Sequence, residues 1–175
     1  MLQGIGGSAL AASLAGCATT GAGRGGGRRP NILFIMTDDH AQHALSSYGN
    51  KILKTPNLDR IGAEGVRFTE AFVTNSLCLP SRATYLTGVY SHVHGMRTNG
   101  EESGIFGEPK LNNAATYPNL LRQAGYYAGV VGKWHVNTPP AGYDYTAVLP
   151  GQGMYFDPEI LVQGTKTRGK GHTDD

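Results

Sequence analysis

Between Pro30 and the acidic pair Asp38-Asp39 the chain reads Asn31-Ile32-Leu33-Phe34-Ile35-Met36-Thr37, an apolar run with no polar alternation inside it. A strand with one wet face would alternate, so an unbroken run predicts a strand covered on both faces, as in parallel sheets flanked by helices. Such sheets bind ligands beyond the carboxyl ends of their strands, where Asp38 and Asp39 fall. Two successive carboxylates repel one another in a dry site unless a cation lies between them, and hard oxygen donors suit calcium or magnesium. The alternative for the same pair is a polar loop start in which Asp38 caps a helix.

Downstream, strand-like and helix-like pieces alternate. Thr55 to Gly65 has a capping threonine, Pro56 in the first turn and a terminal glycine, which predicts a helix. Val66 to Val73 reads as a strand delivering the chain to Asn75 and Cys78. Pro118 to Ala124 reads as a helix stopped by Gly125, and Tyr126 to Val131 as a short strand. With a further helix ending at Gly88, the order strand, helix, strand, helix, helix, strand predicts an α/β fold: a mostly parallel, doubly wound sheet with helices on both faces. Residues 141 to 158, aromatic and rich in turn formers, read as a long irregular loop. No internal repeat is evident.

The 175 residues suffice for one domain with a real core, and with a net charge of +2 no nucleic-acid partner is expected. Basic residues cluster only in Arg24-Gly25-Gly26-Gly27-Arg28-Arg29, a linker-like stretch without aromatic residues for base stacking. Met1 to Gly16 are small and apolar, too short to span a bilayer, and read as an export signal. They lead into Leu14-Ala15-Gly16-Cys17, which resembles a bacterial lipobox with Cys17 as the lipidated residue; the alternative is a simple signal peptide or flexible tail. No basic segment precedes the run, and Leu2 to Gly6 resemble the segment just after a twin-arginine pair, so the start is expected upstream of Met1. The expected organisation is an export segment over 1–17, a linker over 18–29 and a folded portion over 30–175, in a periplasmic or membrane-anchored bacterial lipoprotein. With Cys17 lipidated and Cys78 otherwise engaged, no disulfide is expected.

Cys78 opens Cys78-Leu79-Pro80-Ser81-Arg82-Ala83-Thr84-Tyr85-Leu86-Thr87-Gly88. Pro80 suits the first turn of a helix and Gly88 the position past its end. Cys78 then sits at the positive N-terminal end, where unpaired N–H groups favour a reactive sulfur or an oxyanion. Arg82, one turn on, adds a permanent bidentate donor. The plainer alternative is a buried cysteine capping an ordinary helix, with Arg82 in a surface ion pair. In Gly132-Lys133-Trp134-His135, a lysine and a histidine two apart on an extended segment would point the same way and converge on one ligand.

The pattern Cys-x-Pro-Ser-Arg-x-x-x-Leu-Thr-Gly at 78–88 resembles the modification sequence of the formylglycine-dependent sulfatases, and the Asp38-Asp39 and Lys133-Trp134-His135 motifs follow the same family's order. The resemblance covers residues 30 to about 165 and corresponds to the N-terminal portion of the catalytic domain. It implies an alkaline phosphatase-like fold and a Cys78 oxidised to formylglycine by a maturation enzyme. It also implies a calcium (or magnesium) ion on Asp38, Asp39 and residue 78, with Arg82, Lys133 and His135 as further catalytic groups. Lys133 would meet the sulfate and His135 would move a proton at the aldehyde. The implied substrate is a sulfate ester of a carbohydrate, and the stretch from Gly142 to Gly153 resembles sulfatases acting on glucosamine-type glycans.

The family's later metal ligands, with a second histidine and lysine, have no recognisable counterpart after His135. The chain therefore reads as a front part, expected on its own neither to turn over sulfate esters nor to form a well-packed domain. Two rivals stand beside the sulfatase reading: a phosphonate or phosphate ester hydrolase of the same superfamily, and a non-catalytic surface lipoprotein. His40 and His43 read as solvated loop residues, the alternative being that they line the mouth of the site; His92 reads as architectural, and His172 carries no signal.

Overall fold

The computed structural model describes residues 29–100, 111–112 and 115–173, so the export segment with Cys17, and all of the linker but Arg29, lie outside the described residues. The chain divides into two units, 1–37 and 38–175. In the first, residues 29–37 form neither strand nor helix, and Ile32 to Met36 are 39–84% exposed. The expected strand is not formed there. A strand needs a neighbour to take up its N–H and C=O groups, and the run has no ladder partner among the described residues.

The second unit begins with two 3-10 turns, Gln42–Ala44 and Ser46–Tyr48, followed by α1 (Pro56–Glu64). Thr55 precedes α1, Pro56 takes its first position and Gly65 closes it, as the sequence predicts. The turns are tied to the helix through Asp59, whose carboxylate accepts from the Ser46 hydroxyl, from Ser47 N–H at 2.8 Å and from the Thr55 hydroxyl at 2.9 Å. These donors hold its carboxyl below the usual carboxylate range, the Ser46 hydroxyl foremost. Residues 66–73 do not form the expected strand; Phe68 and Phe72 stand 69% and 87% exposed, and no neighbouring strand is present for them among the described residues.

Among the described residues three helices follow: α2 (Cys78–Thr87), α3 (Ser91–His94) and α4 (Tyr117–Gln123). α2 is the helix expected from Cys78 to Gly88, and Gly88 ends it in the left-handed region at φ +70°. Its inward face carries Leu79, Ala83 and Leu86, spaced four and three apart and at most 3% exposed. They pack with Met96, Leu111, Trp134, Val136 and Val148 in one core, bordered by Tyr85, Tyr117 and Tyr143. Burial pushes all three phenols up, so they stay neutral. The Trp134 ring meets Tyr143 edge-on at 5.9 Å, and its indole N–H donates to the Thr138 carbonyl at 2.6 Å.

Among the described residues the sheet has four strands in the order β1 (Gly129–Lys133), β2 (Tyr145–Leu149), β3 (Glu159–Val162), β4 (Thr165–Arg168). β1 and β2 are parallel, with Lys133 opposite Leu149; the other two pairings are antiparallel. The α/β class stands, and the sheet within this stretch is mixed. Three local expectations change. The strand expected at 126–131 begins at Gly129, because the chain needs Gly125 at φ +85° and further residues to leave α4. The expected loop 141–158 contains β2, whose Tyr145-Thr146-Ala147-Val148-Leu149 buries Thr146, Val148 and Leu149. The β3–β4 hairpin turns on Gln163 and Gly164, both at positive φ, the geometry of a two-residue hairpin turn.

Candidate active site

Parallel pairing decides what meets at the sheet's carboxyl edge. Because β1 and β2 run the same way, the residues after Lys133 and those after Leu149 emerge side by side. Gly132, at φ +103° with nothing within 4 Å of a Cβ, aims the following lysine. The Lys133 ammonium donates to Asp38 Oδ2 at 2.7 Å and to Gln152 Oε1 at 2.5 Å, and lies 3.6 Å from Cys78 Sγ. Cys78 Sγ is 3.9 Å from Asp38 Oδ1. Arg82, 6% exposed, donates to the backbone carbonyl of Lys133 and reaches Asp38 Oδ1 at 3.5 Å.

Asp38, Cys78, Arg82 and Lys133, four residues from three separate segments, thus form one connected set. The Lys133 hydrogen bond, followed by the charges of Lys133 and Arg82, holds the Asp38 carboxyl below its ordinary value, so it is ionised at neutral pH. The side chains of Asp38 and Lys133 are 45% and 16% exposed; an ion pair this open is worth about 0–1 kcal/mol, so its weight is positional.

The other two expected site residues stand differently. Asp39 is exposed, at φ +49°, and its side chain makes no hydrogen bond among the described residues. His135 is 6% exposed and at φ +43°, so the segment after Lys133 is not extended and the two side chains do not alternate on one face as expected.

The helix N-terminus also contributes less than its position suggests. Leu79 N–H is taken by Asn99 Oδ1 at 3.1 Å, Pro80 has none, and Ser81 N–H returns to the Leu77 carbonyl. Only the Cys78 N–H remains among the first three positions, and the Lys133 ammonium adds its positive charge 3.6 Å from Cys78 Sγ. Sequence reading missed both Asn99 and Gln152. Asn99 sits in no recognisable motif, and Gln152, within the family-like stretch from Gly142 to Gly153, reads locally only as part of the turn signal Gly151-Gln152-Gly153.

The remaining histidines are structural or solvated. His94 shares a hydrogen bond with the Thr84 hydroxyl at 3.0 Å and accepts the Met96 N–H at 3.1 Å. His92 stacks on Tyr90, and His172 meets Phe156 edge-on; His40 and His43 are exposed.

Residues 30–162 match the family model described as Sulfatase. The chain belongs to the sulfatase family. The sulfatase chain is 43% identical over 151 residues to the N-acetylglucosamine-6-O-sulfatase of Bacteroides thetaiotaomicron, covering 85% of this chain and 26% of that protein. With the N-acetylgalactosamine-6-O-sulfatase of the same organism it shares 36% over 148 residues, covering 81% and 28%. Among solved structures, that of BT4656 in complex with its substrate D-glucosamine-2-N,6-O-disulfate superposes with a TM-score of 0.74 at 42% identity, covering 83% of this chain and 28% of that one. The alkaline phosphatase-like α/β architecture is thereby established, and the chain spans about a quarter of the length of the relatives it matches.

The family's cation can be tested against these residues. Asp38 and Asp39 are adjacent hard-oxygen donors, and Asp38 lies beside position 78. No group of three or more acidic, histidine or cysteine side chains gathers among the described residues. The pair therefore suits one side of a calcium shell, which takes six to eight oxygens, and needs other donors to complete it.

Proposed function

We propose that this sulfatase chain carries the nucleophile side of a sulfuric ester hydrolase acting on sulfated carbohydrate, of the glucosamine type named for one relative and for the ligand of one solved structure. One observation carries the reading: Lys133 and Asp38 converge on Cys78, the first residue of the modification motif, and Arg82 reaches the same Asp38 carboxylate. Oxidised to formylglycine by a maturation enzyme, position 78 would supply a hydrated aldehyde oxygen as nucleophile, and Asp38, Asp39 and residue 78 would hold a divalent cation that would supply Lewis acidity.

The chain's own residues do the rest. Lys133 sets a fixed positive charge beside position 78, where a sulfate oxygen gains charge; electrostatic groups of this kind are worth about 10²–10³ in kcat. Asp38 orients that ammonium. Arg82 fixes the end of β1 through the Lys133 carbonyl, so the lysine starts from a constant backbone position. His135, buried and two residues on, is the group proposed to take the proton that lets sulfate leave. Export with lipidation at Cys17 belongs to the same proposal and rests on the Leu14-Ala15-Gly16-Cys17 string alone.

Producing the full-length protein with a maturation enzyme and mapping its peptides by mass spectrometry tests the reading. The peptide holding residue 78 is expected to carry formylglycine, and aryl sulfate to be turned over faster than aryl phosphonate. A thiol retained at residue 78 in every such preparation overturns the nucleophile, and faster phosphonate turnover assigns the rival hydrolase instead.

A further inference from the structure

We propose that Gln152 is a positioning residue, a neutral clamp that holds the Lys133 ammonium between Asp38 and position 78 while leaving its charge uncancelled. The inference rests on the sulfatase reading of this site. Its physical basis is the 2.5 Å contact from Lys133 Nζ to Gln152 Oε1, made alongside the 2.7 Å contact to Asp38 and the 3.6 Å approach to Cys78 Sγ. An ammonium has three donors; the amide oxygen takes one and the carboxylate another, leaving the third for the reacting side.

The clamp is built into the backbone. Gln152 sits between Gly151 at φ +53° and Gly153 at φ +82°, in a turn closed by Gly153 N–H on the Pro150 carbonyl at 2.9 Å. A Cβ at Gly153 would lie 3.1–3.2 Å from the Leu149 side chain, so this turn is pressed against the last residue of β2. Leu149 is in turn the parallel partner of Lys133. Pairing register and turn together set the glutamine at the lysine's tip. A lysine stem has four rotatable bonds and much rotamer entropy to lose, so a second acceptor narrows where its charge sits before any substrate arrives.

The neutrality of the amide is the informative part. A carboxylate at 152 would hold the ammonium as well or better, yet it would set a second negative charge beside an anionic ester. Positioning and charge therefore make opposite demands, and an amide satisfies both.

The test compares Gln152→Ala with Gln152→Glu in the full-length protein, matured at position 78, reading kcat and KM for an aryl sulfate and the affinity for inorganic sulfate. Gln152→Ala is expected to lower kcat about tenfold, roughly 1.4 kcal/mol of barrier, with an unchanged melting temperature. A crystal structure of that variant should show the Lys133 ammonium displaced from between Asp38 and residue 78. Gln152→Glu is expected to retain the lysine's position but weaken inorganic sulfate about tenfold more than Gln152→Ala does. A merely structural glutamine predicts the reverse order, with the isosteric glutamate the milder change.

Wild-type kinetics in Gln152→Ala with an undisplaced lysine, or glutamate binding sulfate as well as wild type, overturns the clamp. Failure of the sulfatase reading looks different: the unsubstituted protein itself keeps a thiol at 78 and turns over no sulfate ester, and the clamp's catalytic role falls with it.

Discussion

Arg82 shows how a residue placed correctly by sequence can have an unexpected job. Its spacing from Cys78 predicts a donor reaching back toward the helix start; instead the buried guanidinium bridges the Lys133 carbonyl and the Asp38 carboxylate, linking α2 to β1. The planar fork sets one terminal nitrogen on the carbonyl and the other on the carboxylate at a fixed separation, a span that the single nitrogen of a lysine does not have. Arg82→Lys is thus expected to cost about 1–3 kcal/mol of stability, since a part-buried carbonyl is left poorly satisfied while the half-exposed Asp38 rehydrates. Because Lys133 loses its fixed base, kcat/KM for sulfate esters should fall about a hundredfold. Thermal denaturation and steady-state kinetics of the one variant check both, and undiminished turnover would remove Arg82 from the site.

Asp38, Cys78 and Lys133 were legible because their motifs carry unusual residue combinations at fixed spacing. Gln152 and Asn99 were not, because each acts through a single long-range contact that depends on strand register or on a loop's return. His135 shows the limit of local periodicity: a positive φ, invisible in the sequence, cancels the alternation of side chains.

At the scale of elements, helices were read more faithfully than strands. α1 and α2 announce themselves through proline at the start and glycine at the stop, and such local signals survive whatever the tertiary context. Strands depend on partners that can lie far along the chain, so an apolar run states a need for cover without naming what provides it. β2 was hidden for the opposite reason, since aromatic and turn-rich neighbours on both sides masked five residues of ordinary strand.

The anchoring of α1 offers a pH test at this scale. Asp59 has its folded-state carboxyl below the ordinary aspartate value of 3.8, with the Ser46 hydroxyl as the main cause. A depressed folded value means that this anchoring is fully present above about pH 4 and is lost as pH falls through the lower folded value. Carboxyl NMR titration of Asp59 should therefore show a midpoint below 3.8, and Ser46→Ala should move it back upward. An unmoved midpoint would mean that the hydroxyl contributes nothing to holding the turns against the helix.

Taken as a whole molecule, the second unit is unevenly packed, and its stability should be uneven too. Ala83, Leu86 and Met96 are fully buried at 0% exposure, while Val66, Phe68, Phe72 and Val73 are 59–87% exposed and sit in no strand. Amides with few buried contacts and no ladder partner open at little cost, whereas those of a core helix open only with the unit. In hydrogen exchange, α2 is expected to be the slowest segment of the 175-residue chain and residues 66–73 to exchange almost unprotected. The exposed apolar side chains should also bind a hydrophobic dye under native conditions. Replacing Phe68 and Phe72 together by serine should weaken that binding while shifting stability by less than about 1 kcal/mol. Leu86→Ala, which empties a filled core position, should cost about 2–5 kcal/mol. If residues 66–73 were protected as strongly as α2, or if Phe72 were as costly to remove as Leu86, they would be part of the packed core and the exposed strip would not exist in solution.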